Sequence, residues 1–116
     1  MTNAQLSGAP VLVVGAGIMG AGIAQVAALA GHAVRLFDSR DGAAALAIAK
    51  LGATFDSLVN KGKLTPEAAQ AALARITPIN ALSEAHDVGL VVEAIVENLD
   101  ITLAYLLFII SLVNLK

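Results

Sequence analysis

Four apolar, β-prone residues in a row, Val11-Leu12-Val13-Val14, open the patterned part of the chain. No polar residue alternates with them, which predicts a strand buried on both faces, as in a parallel sheet. The run stops at Gly15. Residues 18–30 then carry small and apolar side chains at helical spacing, and Gly31 stands where a helix-ending glycine belongs. Ala33-Val34-Arg35-Leu36-Phe37 predicts a second strand, ending at Asp38. Residues 41–60 predict a long helix, with Leu46, Ala49, Ala53 and Leu58 supplying part of its apolar face. Lys61-Gly62-Lys63 breaks it. Thr65-Pro66-Glu67 starts the next helix, with Thr as N-cap and Pro at the first helical position, and that helix runs to about Ala74. The 61–75 region therefore reads as a helical hairpin inserted after the second strand. Residues 76–79 predict a short strand, which Pro78 confines to a sheet edge or end. Residues 83–85 read as a connection or helical turn. Val88-Gly89-Leu90-Val91-Val92 predicts a further buried strand.

Alternating strands and helices predict an α/β fold of Rossmann type: a mostly parallel sheet with helices on both faces. About four strands fit, whereas a complete two-half dinucleotide-binding fold has six, so the domain reads as incomplete. Composition narrows the chemistry. The chain is 58% hydrophobic and only 14% charged, with a net charge of −2, so it has no basic footprint for nucleic acid. It has no cysteine, which excludes disulfides, thiolate metal sites and a cysteine nucleophile. His32 and His86 are too few and too far apart to form a metal cluster. His32 reads as a structural residue at the turn into the second strand, and His86 as a loop residue. The first ten residues lack a basic stretch followed by an apolar run, so a cytoplasmic protein is expected. The uncharged run 101–113 is shorter than the roughly 18 residues that span a bilayer, and a membrane partner is not expected.

The chemistry centres on Gly15-Ala16-Gly17-Ile18-Met19-Gly20. A Gly-x-Gly-x-x-Gly pattern alone is weak evidence. Here it follows a buried-type strand, opens a helix, sits in a unit of about thirty residues and is followed by an acid at the next strand end. The first glycine permits the tight turn. The second lets a pyrophosphate approach the backbone, and the third lets helix and strand pack closely. Free N–H groups and the positive end of the helix attract phosphate. Asp38 lies 18 residues after Gly20, at the spacing of the acid that accepts hydrogen bonds from the adenosine ribose. A carboxylate there repels a 2′-phosphate and favours NAD over NADP. Arg40 complicates this preference, because a nearby arginine can receive that phosphate.

Residues 11–38, with Ala21-Gly22-Ile23-Ala24-Gln25 after the glycine loop, resemble the start of the NAD-binding domain of 3-hydroxyacyl-CoA dehydrogenases. Leu58-Val59-Asn60-Lys61-Gly62-Lys63-Leu64 resembles the Lys-Gly-Lys helix end of that family. Val91-Val92-Glu93-Ala94-Ile95-Val96-Glu97-Asn98-Leu99 resembles a segment that other dehydrogenases of similar fold, such as the 3-hydroxyisobutyrate and 6-phosphogluconate types, lack. The resemblance covers about residues 10–100. It implies NAD as cofactor, held by Gly15–Gly20 and Asp38, with Ala94 and Glu97 on the nicotinamide-ribose side. It also implies an acyl-CoA substrate, contacted by Lys61 and Thr54. A cation at Lys61 suits the phosphates of CoA, although a solvated charge at a helix end explains it equally well. An acid at Glu97 is also what a helix start favours.

The resemblance stops near Asp100, so residues 1–100 are expected to form a partial NAD-binding domain and residues 101–116 a separate apolar tail. The family has a lysine at the position of Thr102, within a charged amphipathic helix. Residues 101–115 here are apolar on every side apart from Thr102, Ser111 and Asn114, and a helix of that kind must be buried by something. A frameshift or a junction in the gene explains the tail most directly; an oligomer interface or a membrane surface are the alternatives. The family's catalytic His–Glu pair, with its assisting Ser and Asn, lies downstream of residue 116. The expectation is therefore the NAD-binding portion of an oxidoreductase that interconverts (S)-3-hydroxyacyl-CoA and 3-oxoacyl-CoA. It is expected to carry no catalytic residue of its own and to form a homo-oligomer through the missing domain or the tail. A non-catalytic NAD-binding or regulatory module is the competing expectation.

Overall fold

In the computed structural model, which describes residues 9–94, the apolar run after Pro10 forms strand β1 (Val11–Val14). Helix α1 (Ile18–Leu29) follows the glycine loop, and strand β2 (Val34–Phe37) runs parallel to β1. The hairpin of α2 (Ala43–Asn60) and α3 (Pro66–Ala74) leads to β3 (Ile76–Ile79). A short 3-10 helix (Leu82–Ala85) then connects to β4 (Leu90–Glu93). The four strands form one parallel sheet in the order β3-β2-β1-β4. The chain steps outward from β1 to β3 and then returns to the other side of β1. The order therefore reverses between β1 and β4, and the carboxyl ends of those two strands flank a ligand crevice in folds of this kind.

Local chemistry sets the helix ends. Thr65 Oγ1 accepts a hydrogen bond from the Ala68 N–H at 3.1 Å, and Pro66 fills the first helical position. At the end of α2, Gly62 takes a left-handed φ of 72°. That turn lets Lys63 N–H reach the Leu58 carbonyl at 2.9 Å and Gly62 N–H reach that of Val59 at 3.0 Å. The Lys-Gly-Lys break is thus a helix cap, and Lys61 sits beside carbonyls that favour a cation.

Among the described residues the three α-helices pack on one face of the sheet rather than on both, because the connections from β1 to β2 and from β2 to β3 step in the same direction and cross on the same side. Val11, Val13, Val34, Leu36, Ile76 and Val92 meet Ile23, Ala27, Leu51 and Phe55 there. Phe55, Ile23, Leu36, Val13 and Val34 are the largest side chains wholly withdrawn from water. Leu12 and Ile79 point to the opposite face, where among the described residues the 3-10 turn at Ala85 covers them. Pro78 falls in β3, an edge strand, as its missing N–H requires. Arg75 ties the hairpin to α1 by donating to the Ala28 carbonyl at 2.8 Å.

Three further expectations are corrected. Helix α2 begins at Ala43 rather than 41, because Arg40–Ala43 closes a turn through Ala43 N–H and the Arg40 carbonyl. Its buried face is Ala44, Ala47, Leu51 and Phe55, whereas Leu46 is 58% exposed and Ala49 and Ala53 are exposed. The helix is alanine-rich on several sides, so spacing alone does not choose a face. The large Phe55 side chain does. Strand β4 begins two residues later than Val88, since Val88 N–H bonds back to Ala85 and Gly89 N–H to Pro10 before pairing starts. Residues 95–116, including Glu97 and the apolar tail, lie outside the described residues. Among the described residues no helix is long and apolar enough to cross a membrane.

Candidate functional site

Three strand ends converge on the start of α1. Gly15 follows β1 and is fixed to β2 by its N–H, which donates to the Phe37 carbonyl at 2.7 Å. Asp38 follows β2. Ala94 follows β4, is buried, and is fixed to β1 by its N–H donating to the Val14 carbonyl at 2.8 Å. A Cβ placed on Gly20 would lie 3.5 Å from the Ala94 Cβ and 1.6 Å from the Gly15 carbonyl oxygen. Helix and loop are therefore in direct backbone contact at Gly20, with the Ala94 methyl group beside them. At Gly17 the opposite holds, since a Cβ there would meet nothing within 4 Å. Gly17 is the N-cap of α1 and offers no side-chain oxygen to the first helical N–H groups. Open space in front of a helix N-terminus whose N-cap carries no side chain fits the pyrophosphate of a dinucleotide.

Asp38 is the best-anchored polar group here, with a side chain only 7% exposed. Its Oδ2 accepts from the Ala16 N–H at 2.7 Å and from Arg40 Nη2 at 2.8 Å. Its Oδ1 accepts from the Arg40 N–H at 2.8 Å and from Arg40 Nε at 2.9 Å. The Arg40 guanidinium holds the Asp38 carboxyl well below the ordinary carboxylate range. The Ala16 and Arg40 N–H groups act in the same direction, and burial, which opposes them, is outweighed. A carboxylate depressed by folding stabilises the fold above its unfolded value of about 3.8, and that share is lost as pH falls toward the folded value. The stability difference between wild type and Asp38→Asn is therefore expected to be constant above about pH 5 and to shrink below about pH 4. Urea titrations of both proteins across that range measure it.

From the glycine loop an open cleft of about 530 Å³ runs along the groove between α1 and α2. Gly17, Ile18, Arg40, Leu46, Lys50 and Thr54 are among the residues that line it. Thr54 donates its hydroxyl to the Lys50 carbonyl one turn earlier, at 3.2 Å. Of the residues singled out in the sequence, the structure brings Gly15–Gly20, Asp38 and Ala94 together and puts Thr54 on the adjoining cleft. Lys61 is exposed at the cap of α2 and is not among the residues lining the cleft. His32 is 4% exposed at the turn into β2, and its N–H closes α1 onto the Ala27 carbonyl. Two features went unread in the sequence. One is the two-pronged hydrogen bonding of Arg40 to Asp38, since the sequence marked Arg40 only as a nearby receiver for a phosphate. The other is Lys50, which shares a helix face with Thr54 at a spacing of four.

Known proteins match this arrangement. The family model described as "3-hydroxyacyl-CoA dehydrogenase, NAD binding domain" matches residues 10–106. The chain is 42% identical over 91 residues to the 3-hydroxyadipyl-CoA dehydrogenase of Escherichia coli K12, a match covering 78% of this chain and 19% of that protein. It is 39% identical over 89 residues to a probable 3-hydroxybutyryl-CoA dehydrogenase of Bacillus subtilis, covering 77% of this chain and 31% of the relative. The crystal structure of 3-hydroxybutyryl-CoA dehydrogenase from Escherichia coli K12 superposes with a TM-score of 0.73 at 40% identity, over 84% of this chain and 21% of that one. The chain thus spans under a third of the length of these curated relatives. With the fold, the switch-point loop and the matched segment in agreement, the chain belongs to the family of 3-hydroxyacyl-CoA dehydrogenase NAD-binding domains.

Proposed function

We propose that this chain is the cofactor-holding part of an oxidoreductase that interconverts (S)-3-hydroxyacyl-CoA and 3-oxoacyl-CoA. The observation that carries the reading is the convergence of the Gly15–Gly20 loop, Asp38 and Ala94 on one helix N-terminus beside an open cleft. NAD, when bound, accepts the hydride from the substrate's hydroxyl-bearing carbon. This chain's residues bind and orient it. The backbone from Gly15 to Gly20, through Ala16, Gly17, Ile18 and Met19, faces the pyrophosphate, and Asp38 accepts from the ribose. Ala94, with Glu97 beyond the described residues, borders the nicotinamide-ribose side. Thr54, on the cleft, and Lys61, at the helix cap, are assigned to acyl-CoA.

No catalytic residue is assigned within residues 1–116. Removing the hydroxyl proton needs a base, and the family resemblance puts that base in a part of the relatives that this chain does not span. Residues 1–100 are accordingly read as a partial NAD-binding domain and 101–116 as a distinct tail. Assembly into a homo-oligomer, and a cytoplasmic setting, belong to the same reading. Calorimetric titration with NADH tests the cofactor half. Asp38→Ala removes hydrogen bonds to a charged acceptor and is expected to weaken NADH about tenfold or more. Unchanged affinity would overturn the Asp38 assignment. The purified chain is expected to oxidise no 3-hydroxybutyryl-CoA, and measurable turnover would refute the placing of the base.

A further inference from the structure

Asp38 is already saturated in the free protein. An ionised carboxylate offers about four acceptor directions, and Ala16 N–H, Arg40 N–H, Arg40 Nε and Arg40 Nη2 take all four at 2.7–2.9 Å. A ribose diol brings donors of its own, so something must yield before it can bind. The two backbone donors are fixed, one by the glycine loop and the other by the Arg40–Ala43 turn. The guanidinium is on a flexible stem, and the Arg40 side chain is 69% exposed. Only the guanidinium end of the pair faces water, so as it leaves, solvent takes over its donors while the ribose hydroxyls replace them at Asp38.

We infer that Arg40 sets the cofactor preference of this chain: it leaves Asp38 when the adenosine ribose arrives, and the freed guanidinium then receives a 2′-phosphate. The inference rests on reading Asp38 as the ribose acceptor. Once displaced, Arg40 remains tethered two residues from Asp38, on the wall of the cleft that also carries Lys50. A planar guanidinium fork matches phosphate oxygens in geometry as well as charge. Asp38 alone would leave the adenosine end negative. With Arg40 and Lys50 beside it, the local formal charge is no longer repulsive to a dianion. The same arginine therefore acts against NADH, by competing for Asp38, and for NADPH, by pairing with the phosphate that distinguishes it.

Titration calorimetry of the full 116-residue chain with NADH and NADPH tests this, on wild type, Arg40→Gln and Arg40→Lys. Wild type is expected to prefer NADH by no more than about 30-fold, since carboxylate repulsion and guanidinium attraction oppose one another. Arg40→Gln is expected to tighten NADH about threefold and to weaken NADPH at least about tenfold, the loss of one charge-assisted phosphate contact. Arg40→Lys should lie between the two for NADPH. A second readout does not depend on affinity. The Arg40 Nε–H donates to Asp38 Oδ1 in the free protein, and any exchange protection this confers is expected to be lost when NADH saturates the chain. The proposal fails if Arg40→Gln shifts both cofactors equally, if wild type prefers NADH more strongly than stated, or if the Nε–H stays protected with NADH bound. A chain that binds neither dinucleotide would instead overturn the reading of the glycine loop itself.

Discussion

Gly20→Ala is expected to cost about 3 kcal/mol or more of stability and to abolish NADH binding with it. The added Cβ would sit 1.6 Å from the Gly15 carbonyl oxygen and 2.8 Å from its carbon, both backbone atoms that no rotamer change can move. Neither partner can retreat cheaply. Gly15 is held to β2 through the Phe37 carbonyl, and α1 is pressed on the sheet by Ile23, Ala24, Ala27 and Ala28. Relief requires α1 to lift away by an ångström or more, which opens the packing around Val13 and Val34 that anchors the core. Gly22→Ala, two positions on, is the control. A Cβ there meets nothing within 4 Å, so the exchange should stabilise the helix by up to about 1 kcal/mol. Urea unfolding of the pair measures the contrast. Equal midpoints for Gly20→Ala and wild type would show that the helix and loop are not in the contact described.

What the sequence disclosed and what it withheld divide along a physical line. Strand β1, α1, the capped start of α3 and the edge position of β3 were all legible, because each depends on short-range chemistry: a β-branched run, a glycine turn, a Thr-Pro cap, a missing proline N–H. The buried face of α2 was not. Its residues are mostly alanine, and Leu46 and Phe55 point to different surroundings, one to the cleft and one to the core. Only the burial of Phe55 in the core shared by the helices and the sheet decides between them. The start of β4 was misplaced for a related reason. Val88 is as β-prone as Val91, but its N–H is spent on the preceding turn.

The site shows the same division. That Asp38 lies against the glycine loop was legible because their spacing is set by one βαβ unit. Ala94 was reached only through family resemblance, as nothing in an alanine marks it, yet its N–H bond to Val14 puts it against the loop. The Arg40–Asp38 pair was half legible. The sequence showed that an arginine stood near, and only the structure shows its guanidinium occupying both oxygens of Asp38, the acceptors proposed for the ribose.

Gly17→Val separates binding from folding in a way that Gly20→Ala does not, and is expected to weaken NADH at least about 100-fold while changing stability by less than about 1 kcal/mol. The backbone at Gly17 has φ −76° and ψ −168°, a conformation open to any residue, and the space ahead of its Cβ is empty to 4 Å. A Cβ is therefore admitted without a clash, and the valine methyl groups face the open cleft that Gly17 lines, so the free protein is expected to accommodate them. A pyrophosphate is not accommodated beside it. Its oxygens must come within hydrogen-bonding distance of the N–H groups at the start of α1, and the branched side chain would stand in that approach. Loss of two charge-assisted hydrogen bonds, at 1.5–3 kcal/mol each, exceeds the 100-fold mark. Calorimetry with NADH, paired with urea unfolding of the same sample, reads both quantities. A folded Gly17→Val chain that binds NADH like wild type would mean the dinucleotide lies elsewhere, and the function proposed for the loop would fall with it.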